Sequence, residues 1–214
     1  MAGETLHELY VEELRDLYSA ENQILKALPK MIKAATHKDL KRGFTLHERQ
    51  TRGQVKRLDR IFKLLGKSPR GKKCVGMEGV LKEGADLIRE RPEANVLDAG
   101  LISKAQHVEH YEMAGYGSVR TWAEIMGHFE QVELLQATLD EETETNHALT
   151  KLALDTVNDD AEKASEKASE KAPAKRGSPS AKGQSTNGRR NALNGGAGAR
   201  GADQSLVDTA KSWF

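Results

Sequence analysis

The sequence holds a single cysteine, Cys74, which excludes an intrachain disulfide and agrees with a reducing compartment. Aromatic residues are only 5% of the chain, too lean for an aromatic-rich sandwich or barrel. The period-two alternation of half-buried strands is missing as well. No stretch approaches the ~20 apolar residues of a membrane-spanning helix. The opening "MAGETLHELY" lacks the basic-then-apolar layout of a secretory signal, so the expected setting is the cytoplasm.

What remains is a charged, helix-prone chain. Its net charge of +1 hides an asymmetry. Residues 161–214 carry ten Lys/Arg against five acids, so the end of the chain is basic and the body mildly acidic. Residues 1–158 are expected to form one helical domain, and residues 159–214 a low-complexity basic tail with a short apolar peptide at its end. "EKASEKASEKAPAK" repeats a four-residue unit and has some helical tendency. "GSPSAKGQSTNGRRNALNGGAGARG" buries too little apolar surface to offset ordering entropy and is expected to be disordered. The closing "AKSWF" reads as a docking peptide for a partner or as an end that folds back.

Four long segments carry apolar residues at three-and-four spacing. The first runs from Leu14 to Ala35, with Pro29 kinking the pattern rather than ending it. The second runs from Leu40 to Leu65 and stops at "GKSPRGKK". A third starts near Val96 and runs to "EIMG", and a fourth follows Gly127. "GMEGVLKEGADLIRE" forms a short helix between the pairs. The reading is all-α: an antiparallel four-helix bundle made of two hairpins, with a short crossover helix.

Each long helix places polar residues on its inward stripe near mid-length. They are Glu21 in the first, His47, Gln50 and Gln54 in the second, Gln106, Glu109 and Glu112 in the third, and Glu142 in the fourth. Antiparallel helices bring their middles to one level, so these groups converge. Several carboxylates in a dry core repel one another and carry a large desolvation cost unless they are protonated or a cation sits among them. No Lys or Arg shares the stripes at that level, which makes a metal pair the economical partner. Glu109 and Glu112, three residues apart, reach a common ion. Glu21 and Glu109 occupy matching places in the two hairpins, which suits two metals about a pseudo-twofold axis.

The segments "DLYSAENQILKALPKM", "HERQTRGQVKRLDRIFKLLGKSPRGKKCVGMEGV", "QHVEHYEMAGYGSV" and "LDEETE" resemble the YciE/YciF-type ferritin-like proteins of bacteria, in order, over nearly all of residues 3–156. The resemblance implies a ferritin-like bundle, a rubrerythrin-like site for two Fe or Mn ions, a homodimer and a link to stress responses. Glu21, Glu109, Glu112 and Glu142 match its acidic positions and are the expected ligands. Where relatives have Glu before the Thr, this chain has Gln50, so one of His47, Gln50 and Gln54 is expected to complete the set. Gln106, Tyr18 and Tyr116 are expected to support the ligands. Glu144 and His147 read as Glu-x-x-His, but Glu144 is turned ~200° from Glu142 and is expected to face water, and His107 and His110 are expected on the surface. Cys74 follows basic residues that would acidify its thiol, while the resemblance implies a structural position.

Two functional readings follow. In one, the metal pair reacts with O2 or peroxide as a ferroxidase or a peroxide-detoxifying oxidoreductase. In the alternative, the bundle is a non-enzymatic dimeric scaffold whose tail docks to a protein partner or shell. A nucleic-acid contact of the basic tail is the less favoured partner.

Overall fold

The computed structural model describes residues 4–171, and among these there is no strand. Thr5 starts α1 (Leu6–Ala34) with a capping box: its hydroxyl accepts the Glu8 N–H at 3.2 Å, and the Glu8 carboxylate accepts the Thr5 N–H at 3.2 Å. The helix continues through Pro29, which sits on its exposed face and loses one backbone bond. α2 (Lys38–Leu65) ends at Gly66, whose φ of 62° is the left-handed conformation in which glycine pays no Cβ penalty. α3 (Val75–Glu90) is the short crossover helix. α4 (Ala94–Ile125) and α5 (Phe129–Leu152) form the second hairpin, turning at Gly127.

α5 does not stop where the amphipathic pattern fades. It passes through a π-helical turn, Ala153–Val157, into α6 (Asn158–Lys171), which packs on α4. The "EKASEKASEK" repeat is therefore helix as far as Lys171, beyond the boundary expected at residue 158. The expected disordered stretch and the "AKSWF" peptide lie outside the described residues.

The long helices close a ring: α1 packs on α2 and α4, and α5 packs on the same two. Partner residues run in opposite directions. Along α2 from Gln54 to Arg60, the partners on α5 fall from Glu142 to Glu130. Between α1 and α4, Asp16 meets Tyr111 while Thr36 meets Asp98. The arrangement is an antiparallel four-helix bundle. Gly115 lets α1 and α4 approach closely, since a Cβ there would come within 2.8 Å of the Leu17 side chain.

The apolar core falls into two halves. One holds Leu14, Leu17, Leu58, Ile61, Val119 and Leu135. The other holds Ile24, Leu28, Phe44, Leu101, Val108 and Leu149. On every long helix the residues between the halves are polar and buried: Glu21, then His47, Thr51 and Gln54, then Glu109 and Glu112, then Glu142. The fold thus inserts a polar layer across the middle of a hydrophobic bundle.

Candidate metal centre

In this layer the ligand-type atoms of His47, Glu109, Glu112 and Glu142 lie within 4.8 Å of one another, and all four residues are buried. Their positions come from helix geometry. Glu109 and Glu112, three residues apart on α4, share one face, while α2, across the ring, brings in His47 and α5, packed between the two, brings in Glu142. His47 Nε2 stands 3.5 Å from Glu109 Oε1, and Nδ1 stands 4.0 Å from Glu142 Oε2. Glu21 of α1 is fully buried beside them and accepts a hydrogen bond from the Tyr116 hydroxyl.

Electrostatics make the metal-free layer costly. Burial, and then repulsion from neighbouring carboxylates, hold the Glu21, Glu109 and Glu112 carboxyls well above the usual range. Burial raises Glu142 too. Burial also pushes the His47 imidazole down to about 4, so at neutral pH it is uncharged and has a ring nitrogen lone pair free to ligate. It cannot serve as the cation among the acids.

Two supports fix the carboxylates. Besides the Tyr116 hydroxyl on Glu21, the Gln54 amide donates to Glu142 and, at 3.0 Å, to Glu141. Arg57 grips Glu141 in a bidentate pair at 2.8 and 2.5 Å. This arginine, one turn beyond Gln54, is a cation that the apolar-stripe pattern does not reveal. It is paired with Glu141, and its charge also draws the Glu21 and Glu142 carboxyls down, against the larger upward effect of burial. The available signal was the three-residue step from Gln54 to Arg57, which puts both on one face of α2.

The donor set fits metal ions by a second criterion. Buried polar atoms nearly always have partners. Among the described residues, nine buried side-chain atoms lack one: Glu21 Oε2, both His47 nitrogens, Gln54 Oε1, Glu109 Oε2, both Glu112 oxygens, Glu142 Oε2, and Arg120 Nε elsewhere. All but the last face this layer. Four carboxylates also carry the charge that two divalent cations would neutralise.

The other residues singled out from the sequence are elsewhere. Gln50 is half-buried and lines a cavity that reaches His47 and Glu109. Gln106 donates to Asn146 at 3.1 Å and to Thr150 at 2.8 Å, away from the acids. The Tyr18 ring packs edge-on to Phe62. Glu144, His147, His107 and His110 are exposed. Cys74 is buried and caps α3, its sulfur accepting the Met77 N–H at 3.3 Å and pairing with the Tyr111 hydroxyl at 3.0 Å. Burial pushes its thiol up, against the acidification that the flanking lysines suggested.

These features can be set beside known proteins. Residues 5–162 match the profile of a family described as a domain of unknown function, DUF892. Protein YciF of Escherichia coli (strain K12) is 39% identical over 163 residues, covering 76% of this chain and 98% of that one. The chain belongs to this family. Its fold superposes on the crystal structure of the E. coli stress protein YciF with a TM-score of 0.71 and 38% identity, over 73% of this chain and 99% of that chain. YcfI of Rhodopseudomonas palustris matches at 45% identity and a TM-score of 0.67, over 69% of this chain and 94% of that one. A protein from Xanthomonas campestris shares the fold, with 20% identity and a TM-score of 0.60 over 75% of this chain and 99% of that one. The chain is thus a member of the YciF-like stress-protein family with a buried His/Glu cluster suited to a metal ion. Among the described residues no helix is long and apolar enough to cross a membrane.

Proposed function

We propose that this member of the YciF-like family is a di-metal carboxylate protein that reacts with O2 or peroxide. The observation that carries the reading is the buried layer itself: four carboxyls and a neutral imidazole whose outward atoms have no protein partner. When bound, two iron or manganese ions supply one-electron redox steps, and hard oxygen ligands suit ions that change charge in those steps.

Residues of the chain have separable tasks in this reading. Glu21, Glu109, Glu112 and Glu142 neutralise the ions, with His47 as the nitrogen ligand. Tyr116 and Gln54 orient Glu21 and Glu142, as outer partners orient metal ligands elsewhere. The apolar halves of the core above and below screen the layer along the bundle axis, which leaves the side facing His47 and Glu109 as its approach. The family resemblance extends the reading to a homodimer acting in the cytoplasm.

The test is anaerobic loading of the purified chain with Fe(II), followed by O2 or peroxide in stopped flow with optical detection. Rapid growth of ferric absorbance, lost in Glu109→Gln, supports the reading. A loaded protein that both oxidants leave unchanged removes the redox assignment while keeping the metal site.

A further inference from the structure

The polar layer is open on one side. A cavity of about 330 Å³ runs from the His47–Glu109 edge outward among α1, α2, α4 and α5. Its walls are apolar, among them Leu28, Met31, Phe44, Val108 and Leu149. Polar groups stand at its inner end, His47 and Glu109, at its rim, Asp39 and Glu144, and at two places along the wall, Gln50 and Thr145. His47 is 3% exposed and Glu109 1%, and neither His47 nitrogen nor Glu109 Oε2 has a protein partner. The space is a groove open at its rim, where Asp39, Leu46 and Glu144 are exposed, that deepens to the buried His47 and Glu109.

The shape and chemistry define an occupant. A void of this size lies in the range of ligand pockets and is about twice the ~150 Å³ cavity that takes up benzene, so it accommodates roughly a dozen carbons. The walls ask for an unbranched or lightly branched aliphatic chain. The inner end asks for one head that both donates and accepts hydrogen bonds. An anionic head is disfavoured beside the crowded carboxyls, and a cationic head beside the two metal ions of the proposed function, which leaves an uncharged oxygen.

We propose that this cavity binds a medium-length aliphatic molecule with a hydroxyl or hydroperoxyl head, the head at His47 and Glu109 and the chain among Leu28, Phe44 and Leu149. As a substrate pocket it rests on the di-metal reading and narrows it, from peroxide in general to alkyl hydroperoxides, whose O–O bond would be cleaved to an alcohol and water with one electron from each of two divalent ions and two protons. As a binding site it stands on the cavity alone.

The probe is the n-alkanol series from hexanol to dodecanol, titrated calorimetrically into the full-length chain. The head of an alkanol cannot react, so binding is read apart from turnover. Affinity should rise about fourfold for each methylene and level off once the chain outgrows the cavity. Two plugs test the location. Gly43→Leu adds a side chain where no other atom lies within 4 Å of a modest Cβ, at the cavity wall, and Ala27→Phe fills it from α1. Each should weaken decanol at least tenfold while helical content by circular dichroism and bound metal by mass spectrometry stay unchanged. Glu109→Gln separates the two readings: it should lose metal and still bind decanol, because an amide keeps the hydrogen bonds.

A flat titration, an affinity indifferent to chain length, or plugged variants that bind decanol as the parent does would each overturn the proposal. If decanol does not bind and Leu46→Glu, at the half-exposed rim, turns a dimer into a monomer, the groove is a face between copies of this chain, and the proposal fails for that reason.

Discussion

At the scale of single residues, the account turns on side chains whose loss changes charge without changing shape. Glu142→Gln keeps the volume of a buried side chain and removes one carboxylate. Metal affinity should drop by more than the roughly 10–100-fold typical of losing an outer partner, because here a ligand is lost. Tyr116→Phe removes only the hydroxyl on Glu21, so it should fall within that 10–100-fold range and leave the fold intact. Competition with a chelating dye measures both, and equal affinities for parent and variants would remove these residues from the site. Much of this layer could be read in the sequence, since a carboxyl on an apolar stripe is anomalous by composition alone. The choice among His47, Gln50 and Gln54 could not. At ~100° per residue, positions 47 and 54 share one azimuth, while position 50 is turned by ~60°. That modest rotation is enough to leave Gln50 half-buried on the cavity wall while the other two are buried.

At the scale of elements, the helices follow from periodicity, but the joints depend on contacts between distant segments. The α1–α2 connection is held by Asp98 of α4, buried at 2% exposure, which accepts the Thr36 N–H at 2.8 Å, the Thr36 hydroxyl at 2.5 Å and the His37 N–H at 2.8 Å. An aspartate 62 residues away in sequence gives no local sign of that task. Asp98→Ala leaves the Thr36 and His37 N–H groups of a part-buried joint without their acceptor and should cost about 1–3 kcal/mol in urea unfolding. Its metal content should not change, since the joint is remote from the polar layer; a change of under about 0.5 kcal/mol, the range of an ordinary surface substitution, would contradict the role. The length of the last helix was hidden for another reason. α6 has few buried side chains, so its sequence lacks the apolar stripe that marked the others, yet it packs on α4.

At the scale of the whole molecule, the buried acids tie folding to pH and to metal. Without metal, Glu21, Glu109, Glu112 and Glu142 keep their protons in the folded chain at pH values where the unfolded chain has released them, since their pKa values are raised above the ordinary 4.5. Groups shifted this way contribute stability below the unfolded pKa and lose it as pH rises through the folded one. His47 acts in the opposite sense, because its pKa falls from 6.5 to about 4 and its contribution is lost as pH falls through that window. Four groups outweigh one. Calorimetric melting of the metal-free chain should therefore show Tm falling from about pH 5 to about pH 8. Loading should flatten that slope, because ions replace the protons. For the same reason, metal uptake at neutral pH should release at least about one proton per chain, read from the heats of binding in two buffers with different ionisation enthalpies. A metal-free Tm that rises steadily over this range would mean that the acids are neutralised by some other means.

The most direct test is the metal content of the full-length chain, by mass spectrometry, after expression with iron and manganese supplied and with Glu109→Gln prepared in parallel. The account expects about two ions per parent chain and almost none in the variant, both proteins equally helical. A parent chain that is fully folded and free of metal would contradict it.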